Sequence, residues 1–471
     1  MPNSNIEFLL NNELISIDNH EINTTVLDYI RNQQNLKGTK EGCASGDCGA
    51  CTAVVSELIN NKLKYKTINT CITFLYTLHG KQLITVESLN KNSLHPVQQS
   101  MIKYDGSQCG FCTPGIVMSM YGMHQNKIKP TNKNIEKSLA GNLCRCTGYK
   151  SIKTAAKYMY DNNIKPNDNK KNIDFLKKIS KKNVHIKSKK NHFYIHQNLK
   201  ELLKDLKKVK NSTFVTGGTD IALEVTKRKK DLTNIFYLGL NKDLNFVKIQ
   251  NNNLNIGAAT PINEILPYLE KIYPNFAKMF HRYGSEQIRN VASIGGNLAS
   301  ASPIGDSSPV LIALDSKIVI EGNGRREILL KDFFKSYKKT TLKENEIIRE
   351  INIPIKKKSF LKCYKISKRI EDDISSIFMA ISGLTIKNSF KEIRIVCGGM
   401  ASIPQMAFKT QKFLKNKKFI RENIDEAKKI ILEDFQPLSD MRASATYRSL
   451  ISQNLLERFY LEKKNEKQNL D

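Results

Sequence analysis

The chain has 471 residues, of which 40% are hydrophobic and 25% charged, and its formal net charge is +30. At roughly 150 residues per domain this predicts about three domains, and it excludes a single small module, a disordered chain and a collagen-like chain. The charge is typical of nucleic-acid binders, but Lys is scattered among Asn without interleaved aromatic residues, so we expect a solvated surface and no nucleic-acid site.

The N-terminal region predicts short strands around one helix. Residues 6–17 alternate as a hairpin would, residues 24–33 favour a helix, and residues 52–58 and 62–68 favour strands. The first residues lack the pattern of a secretory signal, and no run approaches the ~20 apolar residues of a membrane span. We therefore expect a cytoplasmic protein without a membrane span.

Eight of the ten cysteines lie before residue 150, and the first four follow an iron–sulfur spacing. In the cytosol, metal ligation is favoured over disulfides. The first set is Cys43, Cys48, Cys51 and Cys71. Its Cys-x4-Cys-x2-Cys pattern with a distant fourth Cys is the spacing of plant-type 2Fe-2S ferredoxins. Gly42, Gly46 and Gly49 give such a loop the freedom to turn its amides toward a cluster.

The second set of cysteines has a different spacing. It comprises Cys109, Cys112, Cys144 and Cys146. Zinc also takes four thiolates and stays an alternative here, although a one-residue gap is unusual for zinc. Apolar periodicity in 114–126, 133–142 and 151–159 predicts helices, with Pro114 in a first turn. We expect a small helical bundle whose loops present the four thiolates.

Together the two sets resemble the paired iron–sulfur domains of the molybdenum hydroxylases, the xanthine dehydrogenase and aldehyde oxidase family. All eight ligand positions of that pattern are present. The resemblance implies a 2Fe-2S ferredoxin-type β-grasp domain over residues 1–85 and a helical 2Fe-2S domain over 86–162. Each domain would hold one cluster through its own set of four cysteines.

Residues 163–190 are polar and rich in Lys, and we interpret them as a solvated linker. His185, His192 and His196 lie here and just beyond. Because no Cys or carboxylate cluster adjoins them in the sequence, we expect no metal role for them.

Two later segments are rich in small residues. Residues 214–223 place an apolar strand before Gly217, Gly218 and Thr219, where consecutive amides can cradle a phosphate. Residues 285–314 contain Gly295 and Gly296 among Ser, Asn and Asp, which leaves little to bury and favours backbone lying against a ligand. No GxGxxG fingerprint occurs here, so a doubly wound dinucleotide fold is not expected.

These segments resemble the flavin domain of the same family in order and separation. The resemblance implies an FAD-binding domain of the PCMH/vanillyl-alcohol-oxidase-like type over residues 191–357. The implied pyrophosphate contacts are Val215, Thr216, Gly217, Gly218, Thr219, Asp220 and Ile221. The implied contacts to the rest of FAD are Tyr283, Gly284, Ser293, Gly296, Asn297, Ser300, Asp306, Ile348 and Lys365. Two alternatives stay open: Tyr283 as a core aromatic, and Glu371 to Asp373 as a solvated acidic cluster rather than a loop beside the flavin.

Residues 358–471 begin with strand-like runs at 360–366, 377–386 and 390–400 and end with helical patterns at 426–435 and 443–464. They resemble the C-terminal CO-dehydrogenase-flavoprotein-like domain of the family. Cys363 and Cys397 are expected to be buried thiols that fill space. The whole chain is thus predicted to be an α+β multidomain protein.

The resemblance implies an electron-transfer subunit. Electrons would pass from a molybdenum cofactor on a partner subunit through two 2Fe-2S clusters to FAD and on to NAD, during hypoxanthine and xanthine oxidation in purine catabolism. The chain has no length left for a molybdopterin domain, so substrate hydroxylation would fall to the partner in a hetero-oligomer. One alternative is the same role in an aldehyde or N-heterocycle oxidoreductase with a different acceptor. A remote alternative is a zinc-containing basic scaffold that binds nucleic acid.

Overall fold

The computed structural model describes residues 4–18, 21–90, 93–161, 170–179, 182–187 and 192–464. The chain forms two compact units, each built from two stretches of sequence. The first unit comprises Met1–Asp243 and Gly284–Ala292, and the second comprises Leu244–Tyr283 and Ser293–Asp471. No helix among the described residues has the length and apolarity that a bilayer crossing requires. The predicted domain boundaries stay predictions.

The N-terminal part of the first unit is a five-stranded β-grasp sheet. Its elements are β1 (Ile6–Leu10), β2 (Glu13–Ile17), α1 (Val26–Asp28), β3 (Thr52–Ile59), β4 (Lys62–Asn69) and β5 (Gln82–Ile84). The strand order is β2-β1-β5-β3-β4, in which β1 and β5 are parallel and the other pairs antiparallel. Helix α1 continues as the π-helical turn Tyr29–Gln33, and Phe8, Val26 and Phe74 are fully buried beside it. The predicted hairpin and strands are confirmed.

Four helices follow and pack as a small bundle. They are α2 (Pro96–Lys103), α3 (Thr113–Gln125), α4 (Asn132–Leu139) and α5 (Lys150–Tyr158). Pro114 lies in the first turn of α3, where its missing N–H costs nothing, and the Thr131 hydroxyl caps α4. Ile116, Ile135 and Ile152 are buried between the helices. The predicted helical bundle is confirmed.

The next region alternates short strands and helices. Its elements are α6 (Lys170–Ile179), β6 (Val184–Lys187), β7 (His192–Ile195), α7 (Leu199–Leu206), β8 (Thr213–Val215), α8 (Ala222–Thr226), β9 (Ile235–Tyr237), β10 (Val247–Gln250), β11 (Asn253–Gly257), α9 (Ile262–Ile272), α10 (Pro274–His281), α11 (Glu286–Arg289), α12 (Ile294–Ala299), α13 (Ser307–Ala313), β12 (Lys317–Glu321), β13 (Arg325–Leu329), β14 (Phe334–Ser336), β15 (Lys339–Thr340) and β16 (Ile347–Pro354).

In the first unit, strands of this region form a second sheet in the order β6-β7-β9-β8, with β7, β9 and β8 parallel. The predicted linker is wrong where the structure describes it, because α6 and β6 lie inside 163–190. Leu176, Ile179 and Val184 are buried, and these apolar positions fold the segment despite its Lys content. Residues 162–169, 180–181 and 188–191 lie outside the described residues.

Of the three histidines of this region, His185 and His192 lie on the second sheet, and His196 directly follows β7. The rings of His185 and His192 stack near Tyr194, and His196 Nε2 lies 3.0 Å from Asp205 Oδ2. His196 therefore has a carboxylate partner from α7, which the spacing in the sequence did not indicate.

Among the described residues, the second unit contains two larger antiparallel sheets and the two-stranded antiparallel sheet β14-β15. The first has the order β10-β11-β16-β12-β13. The C-terminal elements are β17 (Phe360–Ile366), β18 (Ile377–Ile386), β19 (Ser389–Gly398), β20 (Gln405–Met406), α14 (Phe408–Leu414), α15 (Arg421–Ile430) and α16 (Ala445–Lys463). The order of the second sheet is β17-β18-β19-β20. Helices α14 to α16 bury their apolar faces against this sheet, in a core that includes Ile395 and Phe459. Cys397 is fully buried as expected, whereas Cys363 on the edge strand β17 is partly exposed. The α+β multidomain class is confirmed.

Candidate functional site

The first set of cysteines converges in the loop that precedes β3. The Sγ atoms of Cys51 and Cys71 lie 3.3 Å apart, and both residues are buried. Cys71 reaches this point from the 3-10 turn Thr70–Ile72, which follows β4. Around Cys43, the backbone N–H groups of Ser45, Asp47 and Cys48 donate to its Sγ at 3.4, 3.3 and 3.4 Å. The loop therefore wraps its amides around a sulfur, as the glycines in the sequence predicted.

Hydrogen bonds within this loop favour the thiolate at two of the four cysteines, and they raise the pKa of the other two, Cys48 and Cys71. Hydrogen bonds from the thiols of Cys48 and Cys71 lower the pKa of Cys43. A hydrogen bond from Cys71 likewise lowers the pKa of Cys51. Cys43 and Cys51 are therefore held toward the thiolate, which is the form that binds metal.

The second set converges between the helices of the bundle. Cys109 and Cys146 are exposed, with their Sγ atoms 3.5 Å apart. Cys112 and Cys144 share a hydrogen bond, and burial raises the pKa of Cys112 to about 12. For Cys144, burial is outweighed by hydrogen bonds from Thr147, 3.2 Å away, which lower its pKa to about 7. In each of these two pairs one thiol has a lowered pKa, namely Cys109 in one pair and Cys144 in the other.

In the second set the thiols meet in two pairs, whereas in the first set Cys43 shares hydrogen bonds with Cys48 and Cys71, and Cys71 also contacts Cys51. Each set brings cysteine thiols together, and four cysteine thiolates are the donor set that a 2Fe-2S cluster takes, two on each iron. The residues at each set therefore fit a 2Fe-2S cluster.

The predicted pyrophosphate segment lies in the first unit. Strand β8 ends at Val215, and the chain turns through Gly218, whose φ is +73°, into α8. A Cβ on Gly217 would lie 2.0 Å from the carbonyl oxygen of Val291, so this glycine allows the turn to pack against protein backbone. Thr216, Thr219 and Ile221 are partly exposed on the same turn, and Asp220 is exposed. Gly284 also belongs to the first unit, with φ +54°.

The second unit brings several of the other predicted flavin contacts together through hydrogen bonds. Asn297 Nδ2 donates to the hydroxyl of Tyr283 at 3.0 Å, and the Ser300 hydroxyl donates to the carbonyl oxygen of Asn297 at 2.9 Å. The Ser293 hydroxyl accepts from the N–H of Gly296 at 3.1 Å and so caps α12. Tyr283 is thus partly exposed and hydrogen-bonded, rather than a plain core aromatic.

Lys365 and Asp306 form a buried ion pair in the second unit. Lys365 Nζ lies 2.6 Å from Asp306 Oδ2, and the two side chains are 2% and 6% exposed. Lys365 Nζ also donates to the carbonyl oxygen of Arg282 at 3.0 Å. Asp306 Oδ1 accepts from the Ser375 hydroxyl at 2.5 Å. Because Arg282 precedes Tyr283 in the chain, this pair adjoins the group around Tyr283.

The remaining contacts are less well connected. Ile348 is buried on β16, against which α12 packs. Gly295 does not meet the expectation of backbone lying against a ligand, because its Cβ would lie 2.5 Å from Ala258. Gly296, in contrast, is exposed. Asp373 accepts from N–H groups of its own loop, Arg369 at 2.8 Å and Ile374 at 3.0 Å, so it caps the loop.

Some residues of the site were missed from the sequence. Ser307 donates to Asn297 Oδ1, and Ser375 donates to Asp306, yet both looked like ordinary members of a Ser-rich stretch. Lys227 donates to the carbonyl oxygen of Cys43, and no spacing linked it to the cysteines. Ser375 closes the acidic motif that follows Lys365, which is the one signal that could have found it.

Four family models match the chain in order. A 2Fe-2S iron-sulfur cluster binding domain matches residues 8–76, and a [2Fe-2S] binding domain matches 85–157. The FAD binding domain in molybdopterin dehydrogenase matches 187–356, and the CO dehydrogenase flavoprotein C-terminal domain matches 362–463. The chain is therefore an iron–sulfur flavoprotein by domain content.

Similar proteins agree with this order of domains. A xanthine dehydrogenase of Emericella nidulans is 31% identical over 97% of this chain and 38% of its own length. The xanthine dehydrogenase/oxidase of Mus musculus is 30% identical over 96% of this chain and 38% of its own length. The chain thus spans less than half of the curated relatives it matches. It belongs to the molybdenum hydroxylase family, of which it carries the iron–sulfur and FAD-binding part.

Solved structures share part of the fold. Carbon monoxide dehydrogenase from Hydrogenophaga pseudoflava aligns with a TM-score of 0.55 at 22% identity, over 58% of this chain and 96% of that chain. Quinoline 2-oxidoreductase from Pseudomonas putida 86 aligns with a TM-score of 0.53 at 20% identity, over 57% of this chain and 94% of that chain.

Proposed function

We propose that this chain is the electron-transfer subunit of a xanthine dehydrogenase. In this role it passes electrons from a molybdenum cofactor on a partner subunit, through two 2Fe-2S clusters and FAD, to NAD while hypoxanthine and xanthine are oxidised in purine catabolism. The proposal is carried by the convergence of cysteine thiols at two loops ahead of a flavin domain. Relatives that match nearly the whole chain and are xanthine dehydrogenases support it.

The cysteines divide into two ligand sets. The first cluster is held by Cys43, Cys48, Cys51 and Cys71, and the second by Cys109, Cys112, Cys144 and Cys146. Cys109 and Cys146 of the second set are exposed, whereas Cys51 and Cys71 of the first set are buried, and this difference supports entry of electrons at the second set. Bound clusters would exchange single electrons, and FAD one or two, so that two-electron oxidation can be coupled to two-electron reduction.

The flavin contacts also divide into two sets. Residues Val215 to Ile221 bind the pyrophosphate, and Gly284 lies beside the flavin ring. The remaining contacts, on the second unit, are Tyr283, Ser293, Gly296, Asn297, Ser300, Asp306, Ile348 and Lys365. The hydrogen bonds around Asn297 and the Lys365–Asp306 pair support this assignment, because they fix polar groups before any ligand binds.

Substrate oxidation is assigned to another subunit. The relatives are more than twice as long as the part that this chain matches, which supports a separate substrate-oxidising part. Assignment of eight of the ten cysteines to metal ligation supports a reducing compartment, the cytoplasm.

The decisive test is metal and cofactor analysis of the full chain, isolated without oxygen. We expect iron and acid-labile sulfide for two clusters, bound FAD and a red-brown colour. Zinc in place of iron, in a colourless protein, would refute the proposal and favour a zinc-containing scaffold.

Substrate and acceptor need a second experiment. The chain is co-purified with its partner subunits, and the complex is analysed for molybdenum and assayed with purines, aldehydes and N-heterocycles. We expect molybdenum in the complex and reduction of NAD by hypoxanthine and xanthine. Turnover of aldehydes or N-heterocycles alone, or with oxygen in place of NAD, would assign the chain to another hydroxylase of the family.

A further inference from the structure

The segment Gly284–Ala292 belongs to the flavin-domain match by sequence but folds into the first unit. Gln287 of this segment is fully buried there. Gln287 Nε2 lies 3.1 Å from Thr52 Oγ1, 3.4 Å from Ser119 Oγ and 3.2 Å from Asn142 Oδ1. One side-chain amide thus reaches three elements of the two iron–sulfur domains.

The three partners of Gln287 adjoin the cysteine loops. Thr52 follows Cys51, Asn142 lies two residues before Cys144, and Ser119 lies on α3, which begins directly after Cys112. These partners also bond to one another, since the Ser119 hydroxyl donates to Asn142 Oδ1 at 2.6 Å and Asn142 Nδ2 contacts Thr52 Oγ1 at 3.3 Å. Gln287 therefore completes a buried polar network that joins both cysteine loops.

The same loops touch through their backbones. The N–H of Leu143, next to Cys144, donates to the carbonyl oxygen of Cys48 at 2.9 Å. A Cβ on Gly49 would lie 2.1 Å from the carbonyl oxygen of Gly141. This approach is possible only because glycine stands at that position. Cys144 of the second set is thus linked to Cys48 of the first set through the backbone and one hydrogen bond.

Gln287 does not serve stability alone. Its Oε1 is buried and has no hydrogen-bond partner among the described residues, and such an orphaned acceptor costs free energy. An apolar side chain of similar volume would avoid that cost. The donor half of the amide is what ties the loops together, because it bonds to Thr52, Ser119 and Asn142.

We propose that Gln287 is a positioning residue for electron transfer between the two clusters. It acts by keeping the loops in contact, so that the link from Cys144 through the Leu143 N–H to the Cys48 carbonyl stays closed. The inference rests on the proposed function, because it needs a cluster at each cysteine set. It adds a residue outside both ligand sets on which the separation of the clusters depends.

The test compares Gln287→Leu with Gln82→Leu in the full chain carrying both clusters. Gln82 is also a buried glutamine of the first unit, but on β5 it bonds to Ser56 and Asn12 rather than to either cysteine loop. Both clusters are reduced chemically and examined by electron paramagnetic resonance, in which the magnetic splitting between two centres falls with the cube of their separation. We expect Gln287→Leu to lose this splitting while iron content and the signal of each cluster are kept, and Gln82→Leu to retain it.

Hydrogen exchange supplies an independent readout. In Gln287→Leu the amide of Leu143 should lose protection, whereas in Gln82→Leu it should exchange as in the parent chain. If Gln287→Leu does not fold, Ser119→Ala, which removes one donor of the same network, is measured instead, with a weakened splitting expected.

The two possible failures can be told apart. A parent chain without iron and sulfide would refute the proposed function and this inference with it. A parent chain with both clusters, and variants with unchanged splitting and unchanged Leu143 protection, would overturn the role of Gln287 alone.

Discussion

Removing one partner of the buried Lys365–Asp306 pair should strongly destabilise the second unit. The side chains are 2% and 6% exposed, and 2.6 Å separates their charged atoms. In Lys365→Met the carboxylate of Asp306 keeps only the hydroxyl of Ser375 as a described hydrogen-bond partner. In Asp306→Asn the ammonium of Lys365 keeps the carbonyl oxygen of Arg282. Either change leaves a buried charge without its counter-ion.

The expected cost follows from that burial. Breaking a buried ion pair from one side costs about 3–5 kcal/mol, whereas replacing both charges by apolar residues of similar volume is often neutral. For a unit of this size, about 3–5 kcal/mol lowers the melting temperature by roughly 6–20 °C. Each single variant should therefore melt far below the parent chain, and Lys365→Met combined with Asp306→Leu should recover most of the loss.

The assay is thermal unfolding followed by circular dichroism, because the chain has no Trp to report by fluorescence. Lys356→Met is the matched control. Lys356 Nζ lies 2.8 Å from Asp315 in the same unit, but these side chains are 31% and 32% exposed. An exposed pair contributes about 0–1 kcal/mol, so the control should melt near the parent chain. The reasoning is refuted if Lys365→Met and Lys356→Met lose the same stability, or if the double variant is as unstable as the two single losses added together.

Three further predictions concern the clusters, the flavin and pH. Cys109→Ser should lose one of the two clusters, as measured by iron and sulfide per FAD. The variant should still oxidise NADH with artificial dyes. Loss of dye reduction while FAD is still bound would contradict the proposed order of electron transfer. Gly217→Ala should lower the FAD content, because its Cβ would lie 2.0 Å from a carbonyl oxygen. The control Gly324→Ala should keep its FAD, because a Cβ at that position would have nothing within 4 Å. Equal FAD content in the two variants would remove Gly217 from the site. Burial lowers the pKa of His79 from 6.5 to about 4, so the fold favours the neutral ring and loses stability as pH falls below 6.5. This loss should reach about 2 kcal/mol by pH 5, and unfolding measured against pH should show a shallower acid limb in His79→Gln than in the parent chain.

The sequence predicted the parts of the molecule that local chemistry controls. The cysteine spacings, the hairpin at residues 6–17 and the Pro114 helix start all depend on neighbours within a few positions, and the structure has the predicted hairpin and helix. The prediction of a solvated linker at residues 163–190 was wrong because the structure of this segment depends on distant contacts. Its Lys content suggested solvation, but the apolar positions Leu176 and Val184 find partners only when the rest of the unit is folded.

The fold class and the order of domains were implied by the family resemblance that the cysteine spacings and the small-residue segments carry. The connections between the parts were not. Gln287 lies 145 positions from Asn142, and Lys365 lies 59 positions from Asp306, yet each pair is in hydrogen-bond contact. Which thiols pair is decided in the same way, since Cys109 lies next to Cys146 rather than being paired with its neighbour Cys112. Contacts of this kind arise from the packing of many weakly interacting surfaces, and no short stretch of sequence encodes them.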